Sequence, residues 1–147
     1  MQVSNETTLG ASRRLISNGL NPVALNFANG ISVGGGFLSP AQAQEEGLCR
    51  SSALSLTLID DPLDNAHRMQ LLPDSTDWSI YSPNVPLVRS DDGTKLSESW
   101  QLSFTTFAAP YAPEIGQAAS HELLQVRIHR VLAIARAFRY SSLVIGA

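Results

Sequence analysis

Residues 26–52 read NFANGISVGGGFLSPAQAQEEGLCRSS, and the change of character along this stretch sets the fold. Just before and into it, residues 23–28 (VALNFA) are a short apolar run with β-branched and aromatic members that stops at Asn29-Gly30, a turn signal and not a helix start. A strand therefore delivers Asn26 and Asn29 to a loop. That loop holds three consecutive glycines, Gly34, Gly35 and Gly36, whose backbone lacks a Cβ and can bring N–H groups close to a ligand's sugar or phosphate. Ser39-Pro40 reads as a helix start, with Ser39 as the cap and Pro40 at the first helical position. Gln44, Glu45 and Glu46 follow within two turns. Adjacent helical residues point about 100° apart. One glutamate is therefore expected to face the glycines squarely and the other to sit to the side.

Outward from this stretch the pattern is that of an α/β domain. Residues 2–4 read as a brief strand, and Asn5 as the cap of a helix reaching about Asn18, with Glu6 in its first turn and Gly19 closing it. Leu9, Leu15 and Ile16 give that helix a narrow apolar stripe. Strand, helix and strand in succession imply parallel strands and a right-handed crossover. After the glycines, one helix is predicted over 40–58, then a polar, proline-bearing surface excursion over 59–76. Extended pieces at 78–82 and 86–89 are pushed toward a sheet edge by Pro83 and Pro86. Asp92-Gly93 reads as a hairpin turn leading into a strand over 100–109, which makes the sheet mixed. A loop over 110–120 precedes a helix over 121–139 capped by Ser120, apolar on one broad side with Arg127, Arg130 and Arg136 outside it. Residues 142–145 read as a buried parallel strand.

Composition narrows the function. The 147 residues are 44% hydrophobic, suited to one domain over 1–147 with one substantial core. A formal net charge of -3 with no basic stripe argues against direct nucleic-acid binding. Cys49 is the single cysteine, which excludes an internal disulfide and a cysteine-built zinc site and suits a cytoplasmic setting. The opening residues lack the pattern of a secretory signal, and no apolar run reaches membrane-spanning length. His67, His121 and His129 are dispersed, HELLQ is not HExxH because residue 125 is glutamine, and no GxSxG elbow occurs. No metal, cofactor or covalent nucleophile is expected.

A glycine run alone is a weak signal. Triple glycine followed after seven residues by Gln-Glu-Glu on a strand-loop-helix frame is far more specific. It resembles the signature of the poly(ADP-ribose) glycohydrolases of the microbial type, macrodomain enzymes; FAN before the loop, and AQAQEE and LCRSS after it, fit as well. The resemblance covers nearly the whole chain. It implies a macrodomain-like three-layer α/β/α fold, here the central part of the family's domain and incomplete at both ends. Relatives carry a helical segment before this region and a second glycine-rich loop, which holds the ADP-ribose diphosphate, after it. Sheet edges that flanking elements would cover are therefore expected to be exposed.

The implied chemistry is hydrolysis of ribose-ribose O-glycosidic bonds in poly(ADP-ribose) on modified proteins. Such a reaction needs an acid for the leaving oxygen and a base for water. One glutamate serves both ends when a low-dielectric pocket and a like charge raise its pKa. Glu46 matches the family's catalytic glutamate. Glu45 matches the preceding one, which implies hydrogen bonds to ribose hydroxyls, and Gln44 would help fix the pair. Asn29, the glycines and Phe37 would hold the terminal ribose, with Phe37 as an apolar wall. Asn26 matches a position that is aspartate in some relatives, so it keeps hydrogen bonds without a proton-transfer role.

Each assignment has a plainer competitor. Adjacent glutamates near a helix start are usually a solvated first turn, and a lone phenylalanine is more often core than ligand wall. Cys49 reads as a packing residue. Two other functions stand beside the glycohydrolase: a non-catalytic ADP-ribose-binding module or inactive remnant, and a mono-ADP-ribosyl hydrolase.

Overall fold

In the computed structural model, residues 1–28, 34–59, 79–110 and 112–146 are described. The strands are β1 (Pro22–Ala28), β2 (Ile80–Arg89), β3 (Lys95–Ala108) and β4 (Ser142–Ile145), joined in one sheet in the order β2-β3-β1-β4. The central strand β1 runs parallel to β3 on one side and to β4 on the other, while β2 and β3 form an antiparallel hairpin. The sheet is mixed, as expected.

Successive residues of a strand point to opposite faces, and the two faces of β1 feed two cores. Ala24 packs with Leu9 of α1 (Thr8–Ser17), with Leu48 and Cys49 of α2 (Gln44–Ser51), with Leu54 and Leu58 of α3 (Leu54–Leu58), and with Phe104. Beyond a one-turn helix, α4 (Ala112–Ile115), the long α5 (Gln117–Ala137) lies on the other face, where Val131 meets Leu25 and Phe107. Phe27 and Phe107 add an edge-to-face ring contact at 5.5 Å there. Helices on both faces explain why residues 22–26 are buried without alternation. The fold is the three-layer α/β/α arrangement. Among the described residues no helix is long and apolar enough to cross a membrane.

Several expectations are corrected. Residues 2–4 form no strand, and α1 is capped by Thr7, whose Oγ1 accepts the Gly10 N–H at 3.0 Å, not by Asn5. Glu6 therefore lies outside the helix and bonds to Arg14, with Nη2 2.6 Å from Oε1. Arg14 holds the Glu6 carboxyl at about 2 instead of 4.5. A folded-state pKa below the unfolded one gives stability that is present above about 4.5 and lost as pH falls toward 2. The pair is exposed, so its share is small and screened by salt. We expect Glu6→Gln to lower the melting temperature of the chain by about a degree at pH 7 and the difference from the parent to close as pH falls toward 2; a difference that persists undiminished at pH 2 would contradict this.

The single helix predicted over 40–58 is two helices. Ser52 breaks it: its hydroxyl donates to the Leu48 carbonyl at 2.7 Å and accepts from Leu54 N at 3.2 Å, a local competition that interrupts the helical ladder. The freed backbone pairs with the sheet, Ser52 bridging to Leu87 and Ala53 N donating to Pro86 O at 3.0 Å. This covers part of the edge strand β2, where register shifts fall between Ser82 and Val85 and between Leu87 and Arg89. The two predicted extended pieces are one strand from Ile80; residues 60–78, with most of the predicted surface excursion, lie outside the described residues.

The strand β3 begins earlier than predicted, because the turn at Asp92-Gly93 closes tightly enough for pairing to resume at Lys95. The long helix begins after Gly116 and not at a Ser120 cap, and the predicted loop over 110–120 contains α4. Arg127 is not outside the apolar side but buried, 1% exposed, with Nη1 donating to the Ala108 carbonyl at the end of β3. A buried strand-end carbonyl needs a donor, and a long cationic side chain supplies it. Finally, β4 pairs parallel to β1 as expected, but among the described residues it lies at the edge of the sheet and is only partly buried, with Val144 inside and Ile145 61% exposed.

Candidate active site

The site is assembled where β1 ends and α2 begins. The predicted helix start at Ser39-Pro40 is instead a run of turns. Ser39 Oγ donates to the Gly36 carbonyl at 2.7 Å, and Arg50 reaches back to the Ala41 carbonyl at 2.8 Å and the Phe37 carbonyl at 3.3 Å. These bonds tie the turn segment to α2. The helix then starts at Gln44, with Ala43 at the cap position and no side-chain cap. Glu45 and Glu46 occupy its first turn, where the positive end of the helix dipole favours carboxylates.

Both glutamates are buried, 3% and 8% exposed, and both accept from the glycine turn. Gly34 N donates to Glu45 Oε1 at 3.1 Å and Gly36 N to Glu46 Oε1 at 2.9 Å. The expectation that only one would face the loop is corrected. The turn runs across the helix start, so donors two residues apart meet carboxyls from two adjacent positions. Two glycine amides are accordingly held by the protein's own carboxylates. The third glycine explains the closeness: a Cβ on Gly35 would lie 2.3 Å from Glu46 Oε1 and 3.3 Å from Glu45 Oε2, and its φ of 55° is in the left-handed region. Glu46 Oε2 is buried with no hydrogen-bond partner among the described residues, an unmet acceptor position that a ligand or a proton can use.

The other predicted residues divide. Gln44 directs its side-chain hydrogen bonds away from the glutamate pair: its Oε1 accepts from Phe27 N at 3.0 Å, and its Nε2 donates to Leu25 O at 3.0 Å and to Thr8 Oγ1 at 3.1 Å. Asn26 is fully buried, its Nδ2 donating to Thr106 Oγ1 at 3.3 Å and its Oδ1 without a partner among the described residues. Phe37 packs on the core beneath the turn, against the position a Cβ of Gly34 would take; its plainer role as a core residue is what the geometry displays. Asn29 lies outside the described residues. Among the described residues no three His, Cys, Asp or Glu side chains gather as a metal site.

Cys49 is buried under the same turn, and burial, reinforced by Glu45 and Glu46, pushes its thiol up to about 12. A thiolate is the reactive form, so the folded chain should hardly react with an aromatic disulfide reagent at pH 8, and the unfolded chain should react at once. Fast native labelling would show that the turn opens on the reagent's timescale.

Arg50 is the contributor that sequence reasoning missed as part of the site. Its signal was available: it follows Glu46 by one helical turn and therefore shares its side of α2.

A family model for the microbial-type PARG catalytic domain matches residues 1–90. Comparison with curated proteins gives no match. Among solved structures, the chain is similar to the poly(ADP-ribose) glycohydrolase of Thermomonospora curvata bound to the inhibitor ADP-HPD, at 42% identity and a TM-score of 0.90 over 97% of this chain and 56% of that one. It is also similar to the poly(ADP-ribose) glycohydrolase of Deinococcus radiodurans in complex with ADP-ribose, at 33% identity and a TM-score of 0.82 over 97% of this chain and 59% of that one. It spans little more than half the length of these relatives.

Proposed function

Because the chain belongs to the microbial-type poly(ADP-ribose) glycohydrolase family, we infer that its site hydrolyses ribose-ribose O-glycosidic bonds in poly(ADP-ribose) carried on modified proteins and releases ADP-ribose. The observation that carries this is the Glu46 carboxyl, with one oxygen anchored by the Gly36 amide and the other buried and without a partner among the described residues. An oxygen that accepts an amide N–H cannot carry the proton in the same direction. The proton to be transferred therefore belongs on Oε2.

Hydrolysis then runs through that atom. Glu46 gives its proton to the leaving ribose oxygen as the bond to the anomeric carbon breaks, and the resulting carboxylate takes a proton from the water that adds to that carbon. The positive charge that develops on the sugar is countered by Glu45, whose carboxylate also suits ribose hydroxyls. Asn26, whose Oδ1 has no partner among the described residues and which lies on the same sheet face as α2, and the glycine turn complete the ribose end of the site.

A non-catalytic ADP-ribose-binding module is the competing reading, favoured by coverage of only 56% of the Thermomonospora relative. Release of ADP-ribose from labelled polymer by the parent chain, compared with Glu46→Gln, separates the two. Binding of ADP-ribose without release from polymer would reject the hydrolase reading; release from mono-modified protein alone would change the substrate.

A further inference from the structure

We propose that Gln44 is a positioning residue that stands in for a missing strand residue beside β1 and thereby sets where the glutamate helix begins. The kinetic part of this proposal rests on the glycohydrolase reading above; the structural part does not.

The β1/β4 ladder ends with Leu25 opposite Ile145, whereas β1 continues to Ala28 and β3 occupies its other side. One step beyond the last pair, the backbone groups of Leu25 and Phe27 that face the β4 side need partners. In a parallel ladder, the residue opposite Asn26 would donate to Leu25 O and accept from Phe27 N. Gln44 makes those two bonds with one carboxamide, Nε2 to Leu25 O and Oε1 from Phe27 N, both at 3.0 Å. Its second amide hydrogen goes to Thr8 Oγ1 at the start of α1. The backbone that leaves β4 is turned aside around it: a Cβ on Gly146 would lie 2.3 Å from Gln44 Nε2 and 2.0 Å from Thr8 Oγ1. A side chain wedged there parts the carboxyl ends of β1 and β4, the place where α/β sheets open for ligands.

The consequence for chemistry is positional. Since α2 has no side-chain cap, the bonds of Gln44 are what register its first residue against β1. Glu45 and Glu46 are the next two residues, and their carboxyls must meet Gly34 N and Gly36 N. An acid misplaced by an ångström is a poor catalyst. Gln44 thus acts through Glu46 without touching substrate.

The test uses the full chain with two variants. Gln44→Met keeps the length and removes both kinds of bond; Gln44→Glu keeps the acceptor for Phe27 N and loses the donors. Amide hydrogen exchange followed by NMR should rise about tenfold at Phe27 in Gln44→Met, and also at Gly34 and Gly36, with other β1/β3 amides unchanged. In Gln44→Glu the Phe27 amide should stay protected while Gly34 and Gly36 still loosen. On poly(ADP-ribose), kcat should fall about 100-fold in Gln44→Met with KM within about threefold of the parent. Faster exchange confined to Phe27 overturns the proposal, and so does a raised KM with kcat unchanged, which would make Gln44 a substrate contact. If Gln44→Met does not fold, Gln44→Glu decides by the Gly34 and Gly36 amides. If the parent releases nothing from polymer, the glycohydrolase reading fails and the exchange measurements decide the role of Gln44 alone.

Discussion

Glu46→Gln should abolish release of ADP-ribose from polymer, by about 10²- to 10⁴-fold or more, and leave ADP-ribose affinity within a few-fold of the parent. Glutamine has the same shape and can still accept the Gly36 N–H through Oε1. What it lacks is a transferable proton at the position of Oε2, the buried oxygen without a partner among the described residues. Loss of turnover with retained binding is therefore the signature of acid and base work by this residue. A variant that cleaves polymer as fast as the parent would remove Glu46 from the mechanism, and one that loses binding and turnover together would recast it as a ribose ligand.

The second large effect is expected at Gly35→Ala. The added methyl carbon has to occupy space 2.3 Å from Glu46 Oε1 and 3.0 Å from its Cδ, so the catalytic carboxyl must swing away or the turn must open. Alanine at a φ of 55° adds a backbone cost of about 1–2 kcal/mol. We expect unfolding free energy to fall by about that amount in urea titrations and turnover to fall about 100-fold. Gly47→Ala is the internal control, because a Cβ there meets nothing within 4 Å and the position is helical. It should raise stability by about 0.5–1 kcal/mol and spare activity. Parental turnover in Gly35→Ala would mean that the turn and the carboxyl do not share a space during catalysis.

Both predictions follow from one arrangement. Carboxyl groups buried at a helix start are tolerable because each accepts an amide N–H from the glycine turn. In exchange, the glycine turn is held by the groups it serves. Removing either partner disturbs the other, and for that reason the two substitutions should affect activity in a coupled, non-additive way if combined.

What the sequence by itself determined about this protein is what short-range energetics decide. The strand ending at Ala28, the glycine loop after it, the adjacent glutamates near a helix start, the hairpin at Asp92-Gly93 and the mixed α/β sheet all follow from residues a few positions apart. Family signature and local pattern agree there. Only the tertiary structure decided the rest. The start of α2 moved from Ser39-Pro40 to Gln44 because the turn is pinned by Arg50 from within the helix itself, a bond no capping rule contains. Gln44 left the glutamates for β1 because β4 stops one residue short and leaves backbone groups to satisfy. Arg127 went inside because a carbonyl at Ala108, far away in sequence, needed a donor. Both glutamates reach the turn because the turn crosses over the helix end, which helical periodicity alone cannot express. Each of these outcomes is set by an unpaired polar group on another element, and burial without a partner costs more than any local preference can repay.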